Sequence, residues 1–301
     1  MPAMSARTMA LLVLGVVAVS FSSIFIRLTD APPMTVALYR NAIAAAILLP
    51  VAFARQRQEF RGLSRREWGL GIIAGVFLAA HFATWIPSLD FTTVAASTVL
   101  VTTQPLWVGI VSYLAFGERL RRAALIGVGV ALAGTAVVSG GDVSLSGRAA
   151  FGDLLAVLGA ITAAMYFVTG RALRQRMSLL AYVSICYSTC AIVMVPVVAI
   201  SGQPFLALRW QDWGLLVLMA LVPQILGHTV FNYLLGDVEA NVVAIAVMGE
   251  PVGASLLALA IFGETPPWTA ILGGVLILAG VYAAITAQAR RNRATLPAPV
   301  E

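Results

Sequence analysis

The chain has 301 residues, 60% of them hydrophobic and only 11% charged, and its mean hydropathy of +0.93 excludes an ordinary soluble globular domain. Its formal charge of +6 rests on arginines, with no lysine in the chain. These arginines sit mostly in loops between apolar runs, which excludes reading the charge as a nucleic-acid footprint.

A membrane-spanning helix needs about 20 mostly apolar residues. Ten stretches qualify in chain order: 9–27, 34–53, 68–88, 93–115, 123–140, 152–170, 179–200, 213–235, 240–262 and 268–288. Met9 to Phe25 has the apolar length of a signal-peptide core, but no small-residue cleavage site precedes a polar domain, so it is read as a first span. The expected ends are Met1 to Arg7 and a disordered tail from Arg290 that carries Pro297 and Pro299. With a cytoplasmic N-terminus, 15 of the 19 arginines fall in inside segments, against Arg27, Arg148 and Arg209 outside and Arg40 within the second span. That bias places both termini in the cytoplasm, as a multi-pass protein of the cell inner (plasma) membrane. Cys186 and Cys190 share one apolar run at helical spacing and read as buried apolar filler; nothing has a zinc spacing.

The expected fold class is all-α integral membrane, ten transmembrane helices as an inverted repeat of five plus five. Gln104-Pro105 recurs as Glu250-Pro251 at an offset of 146, and Phe116-Gly117-Glu118 recurs as Phe262-Gly263-Glu264 at the same offset. Arg27 and Arg171 match at 144, Trp68-Gly69-Leu70 and Trp213-Gly214-Leu215 at 145, and His81 and Asp90 match His228 and Asp237 at 147. Such drift needs only single-residue changes in loops. Five spans precede each restart, so the halves, 1–145 and 146–301, must insert with opposite orientation. That organisation points to alternating access, with a site near the midplane.

Ten spans in two halves, each ending in a polar-Pro helix, an FGE corner and a Gly-rich last helix, resemble the drug/metabolite transporter superfamily, EamA type. Pro33 with Arg40 and Asn41 in the second span adds to the likeness, which covers roughly residues 9 to 288. The resemblance implies a secondary transporter, commonly an exporter of amino acids or other small metabolites. It also implies a central cavity lined by helices one, three, four, six, eight and nine, with five and ten peripheral.

Glu250 is the first candidate for chemistry. A charge at bilayer depth costs at least ~2.5 kcal/mol and survives mainly in pathways or cavities. It could bind a substrate ammonium group or carry a coupling proton; the plainer reading is a protonated acid hydrogen-bonded to a neighbouring helix. Its repeat mate Gln104 cannot titrate, so any proton carriage is one-sided. Pro105 and Pro251 each withhold an N–H and should break or kink their spans. Arg40 could hold a carboxylate bidentately, yet a shallow arginine more often snorkels to the interface or caps helix-end carbonyls, and that structural reading is favoured here.

His81 and His228 lie nine residues from their helix ends, about 13 Å deep, with Trp85 and Asn232 four residues on along the same faces. These pairs could form a cavity wall, or the histidines could simply join helices by hydrogen bonds. Tyr39, Tyr166, Tyr187, Trp107 and Asn41 are polar-tipped groups in apolar spans. They either line the site or bond to backbone carbonyls. Gly127, Gly129 and Gly134, with Gly273, Gly274 and Gly280, suit close helix packing, within one chain or across a homodimer.

The leading reading is a permease for small metabolites, an exporter of amino acids or related compounds. The alternatives are a multidrug or cationic-compound efflux carrier, using Glu250 and aromatics, and a non-transporting receptor or scaffold. An intramembrane enzyme would need a paired nucleophile and base, two facing aspartates or an HExxH-type site, and none is visible. The expected partners are a small-molecule substrate, the lipid bilayer and, as open questions, a coupling proton and a second copy. No catalytic residue, metal, cofactor or nucleic acid is expected.

Overall fold

The computed structural model describes residues 5–92, 97, 100–117, 120–138, 147–206, 208–263 and 265–294. The start of the expected fourth span, the acids Glu118 and Glu264 of the FGE corners and the tail beyond 294 lie outside the described residues. Every regular element among the described residues is helical.

Local chemistry sets the helix starts. Helix α1 (Ala6–Leu28) opens at Ser5, whose hydroxyl accepts from the Thr8 amide, and α2 (Pro33–Arg55) opens on a proline whose missing N–H would be unpaired there in any case. A short α3 (Arg57–Gly62), not expected from the apolar pattern, buries Phe60 against Phe53 and Trp68. Ser64 and Glu67 form a capping box for α4 (Arg65–Phe91). Then follow α5 (Gln104–Phe116), α6 (Arg122–Val138), α7 (Gly147–Arg174) and α8 (Leu179–Ser201). The next span is composite: α9 (Trp210–Met219), a π-helical stretch (Ala220–His228) and α10 (Thr229–Leu234). The last elements are α11 (Ala240–Val247), α12 (Glu250–Phe262) and α13 (Trp268–Ala294).

Among the described residues, eight spans are long and apolar enough to cross a bilayer, two short of the ten expected. The other two places hold α5 and α6, which are apolar but shorter. Within the described part of the expected fourth span the helix is interrupted at Thr102–Thr103, where the chain turns before α5 begins. Outside the bundle, Leu114, Ile126, Ile192 and Ile200 stand exposed; inside it, Arg40, Gln104, Gln224, Asn232 and Asn241 are buried. A soluble protein distributes these groups the other way round. The chain is a multi-pass membrane protein.

The main helix contacts are α2 on α8, α4 on α7 and α8, α1 on the π-helical stretch and on α12, α5 on α7, and α6 on α13. The α6–α13 pair uses the glycine stripe within one chain. A Cβ added at Gly280 would sit 2.5 Å from the Ala131 nitrogen and the Gly127 oxygen, and one at Gly134 2.6 Å from the Gly273 oxygen. Gly127, Gly134, Gly273 and Gly280 are therefore spent on intrachain contact and are not available to a second copy.

Candidate functional site

The two polar-Pro stretches make the same local structure. After α11 the chain turns through i→i+3 bonds, Met248 N to Ile245 O at 3.1 Å and Gly249 N to Ala246 O at 3.0 Å, and α12 begins at Glu250. Before α5, Thr103 N donates to Leu100 O at 3.2 Å and the helix begins at Gln104. Pro105 and Pro251 thus do not kink continuous helices. Each sits in the first turn of a new one, where a missing N–H leaves no carbonyl unpaired. Both new helices run 13 residues and end on a left-handed glycine, Gly117 or Gly263, each at φ 69°. Gln104 and Glu250 therefore stand at helix N-termini, the ends whose unpaired N–H groups favour negative charge.

Both termini open onto one cavity of about 90 Å³. Its wall draws residues from α1 (Val19, Ser22), α2 (Arg40), α4 (Leu78 to Trp85), the turn before α5, α7 (Tyr166, Phe167), the π-helical stretch (His228), α10 (Phe231) and α11–α12, and none from α6 or α13. Among the described residues, Arg40 and Glu250 are the only formally charged ones in that wall.

Arg40 does not snorkel. It is 3% exposed, donates from Nε to Gln224 Oε1 at 3.0 Å and from Nη1 to Ser22 Oγ at 3.1 Å, and its guanidinium lies 4.8 Å from the Phe82 ring centroid. Its Nη2 is buried without a partner. No donor among the described residues reaches the Glu250 carboxylate, and both ion pairs found there belong to Arg209. The Glu250 backbone oxygen accepts from Ser20 Oγ at 3.2 Å, which ties the start of α12 to α1.

His81 Nδ1 lies 2.9 Å from the Gly159 carbonyl, which can only accept, so Nδ1 carries the proton and Nε2 the lone pair. Its ring stacks on Trp85, with centroids 5.8 Å apart and planes 8° from parallel. Trp85 Nε1, Gln104 Nε2 and His228 Nδ1 are, like Arg40 Nη2, buried without partners. Four such atoms around one cavity are unusual, because buried polar groups are nearly always paired. They describe a site with hydrogen-bonding capacity left over.

The remaining candidates fall elsewhere. Tyr39 donates to the Phe205 carbonyl at 2.8 Å and sets its ring edge-on to Trp213, outside the cavity wall. Asn232 is fully buried behind the wall and donates to Tyr166 at 2.6 Å and Tyr187 at 3.2 Å. Asn41 donates to the Ala37 carbonyl and Trp107 to Thr103 Oγ1, each within its own turn. Cys186 and Cys190 are buried free thiols. No three His, Cys, Asp or Glu side chains cluster in metal-ligating geometry among the described residues.

Sequence reading missed Ser22, Phe82 and Gln224 around Arg40. A signal existed for one of them. Pro223-Gln224 is a polar group beside a proline in mid-span, the mark that singles out Gln104-Pro105 and Glu250-Pro251, with the order reversed.

Comparison with known proteins bears on this architecture. The model of the EamA-like transporter family matches twice, over residues 6–140 and 150–286. An uncharacterized transporter of Archaeoglobus fulgidus is 26% identical over 93% of this chain and 97% of its own. A probable amino-acid metabolite efflux pump of Salmonella typhimurium is also 26% identical, over 91% of this chain and 92% of its own. A solved crystal structure superimposes with a TM-score of 0.80 over 95% of this chain and 99% of the other at 21% identity, a likeness of fold alone. The chain belongs to the EamA-like transporter family.

Proposed function

We propose that this EamA-family protein is a secondary transporter that exports small zwitterionic metabolites, amino acids or close relatives, by alternating access. The observation that carries the reading is the cavity wall itself. One arginine and one carboxylate face the same space without an ion pair among the described residues, and Arg40 Nη2 and three more polar atoms around them are unpartnered. A zwitterion satisfies that set: its carboxylate meets the spare Arg40 nitrogen and neutral donors, and its ammonium meets Glu250. A nucleotide sugar or phosphate would ask for several cations, where the wall, among the described residues, offers Arg40 alone. A permanent cation would suit Glu250 and the aromatic rings but would face Arg40, which disfavours it. The amino-acid wording in the name of the Salmonella relative agrees with this choice.

Alternating access follows from ten spans arranged as two inverted repeats, 1–145 and 146–301, with α5 and α6 as the membrane parts of the fourth and fifth. The packing supports this. Exchanging first-half for second-half helices turns the α1–π contact into the α7–α4 contact, and the α1–α12 contact into the α7–α5 contact. The α2–α8 and α6–α13 pairs map onto themselves. The twofold match of one family model agrees as well. The arginine bias supports a reading in which both termini lie in the cytoplasm and the protein sits in the inner membrane. The test is the extracellular metabolite profile of overproducing cells. Accumulation of a small set of amino acids supports the reading; accumulation of organic cations only would replace it with the efflux-carrier reading.

A further inference from the structure

Arg40 can select a carboxylate only if its guanidinium is held with a free edge towards the cavity. An arginine side chain has many rotamers and loses substantial entropy when fixed, so the residue that fixes it matters as much as the arginine. That residue is presented by the one π-helical stretch among the described residues.

Between Ala220 and His228 the backbone bonds run from each residue to the one five before it, so that the Thr229 amide reaches the Gln224 carbonyl. Pro223 supplies no N–H, and π-turns of this kind recur at functional sites. The wider turn places His228 in the cavity wall while Gln224, fully buried, stands behind it. Arginine has no acceptor, so the Gln224 amide oxygen must face Arg40 Nε, at 3.0 Å. Ser22 takes Nη1 on another side and Phe82 covers one face. Only Nη2 is left over.

Gln224 is itself anchored. Its backbone carbonyl accepts from Thr229 Oγ1 at 3.2 Å; Thr229 meets Tyr187 at 3.0 Å; Tyr187 and Tyr166 both accept from Asn232. Tyr166 returns to the cavity wall. The chain of bonds gives Asn232 and Tyr187, neither of which touches the cavity, a place behind the site.

We infer that Gln224 is a positioning residue. Held by the π-helical stretch, it orients Arg40 so that the transporter discriminates carboxylate-bearing substrates from the same molecules lacking the carboxylate. The inference rests on the proposed reading of the cavity as the transport site and deepens it.

The experiment uses the full-length purified protein and a panel of neutral L-amino acids, each paired with its α-amide, which keeps the amine and removes the anion. Binding is followed by thermal shift, and transport of any binder by proteoliposome exchange. Wild type should prefer acid over amide by at least about tenfold, a difference of roughly 1.4 kcal/mol. Gln224→Met, similar in volume but without the acceptor, should raise KM for the acid about tenfold, leave kcat within about twofold and leave amide binding unchanged. If Gln224→Met does not fold, Ser22→Ala removes the other acceptor and should move the acid-to-amide ratio in the same direction. Wild type that binds no acid on the panel, or binds acids and amides alike, overturns the reading of the cavity and this inference with it. Wild type that prefers acids, with a Gln224→Met variant that keeps the preference or loses affinity for both probes equally, overturns the role of Gln224 alone.

Discussion

Arg40 and Glu250 face one cavity from α2 and from the start of α12, and among the described residues neither forms an ion pair with the other or with another charged side chain. Opposite charges in a membrane interior ordinarily neutralise one another, since an unpaired buried charge is costly. Keeping them apart makes sense if a ligand joins them. The π-helical stretch holds the cation by way of Gln224, and the half-helix α12 presents the acid at its N-terminus.

Arg40→Lys keeps the charge but loses the planar fork and the simultaneous bonds to Gln224 and Ser22. We expect a folded protein whose KM for a carboxylate-bearing substrate rises roughly tenfold, the scale of one lost charge-assisted bond. Arg40→Met strands the Gln224 and Ser22 oxygens as well and should cost ~1–3 kcal/mol of stability. Proteoliposome kinetics and thermal unfolding separate the two outcomes. A lysine variant with wild-type KM would return Arg40 to a structural role.

Pro251→Ala restores an N–H in the first turn of α12 and lets α11 and α12 compete to form one continuous helix. Turnover should slow while substrate binding changes little. Unaltered kcat in both Pro251→Ala and Pro105→Ala would mean that Met248–Gly249 and Thr102–Thr103 hold the breaks without the prolines.

Gly280→Val places side-chain carbon against the Ala131 nitrogen and the Gly127 oxygen, both backbone atoms that cannot yield. Overpacking of this kind costs ~1–3 kcal/mol or more, so the melting temperature should fall sharply. Gly129→Val, with nothing within 4 Å of the added carbon, should leave it unchanged. Equal effects at both positions would contradict the intrachain packing of α6 on α13.

Much of this was legible in the chain. The repeat in Gln104-Pro105 and Glu250-Pro251 marks both breaks, because proline beside a polar residue has few places in a bilayer. Apolar length marks eight of the spans. The signal fails where two physical states share one sequence pattern. An arginine two turns into a span reads equally as snorkelling or buried, and only Gln224 and Ser22, far away in sequence, decide for burial. Tyr39 and Tyr166 look alike in sequence, yet a loop carbonyl at Phe205 satisfies the first and Asn232 the second. The π-helical stretch has no periodicity of its own to betray it.

At the end of the bundle formed by the α1–α2 and α8–α9 connections, Asp212 is buried and gathers three neighbours. It accepts from Thr29 Oγ1 at 2.7 Å, the Asp30 amide at 3.0 Å and Arg209 Nε at 3.3 Å, while Arg209 also pairs with Asp30. This ties the α1–α2 connection to the start of α9. Asp212→Ala leaves those donors unpaired and should lower stability by ~1–3 kcal/mol, read as a fall in melting temperature. No fall would show that water replaces the carboxylate at little cost.

The most direct test of the central claim compares the extracellular metabolites of cells producing the wild type with those producing Glu250→Gln at equal membrane level. Glutamine keeps the shape and removes the charge. A small set of amino acids or related zwitterions is expected to accumulate outside only with the wild type, while the variant matches cells lacking the protein. Equal accumulation with both proteins would contradict it and leave Glu250 as a structural acid.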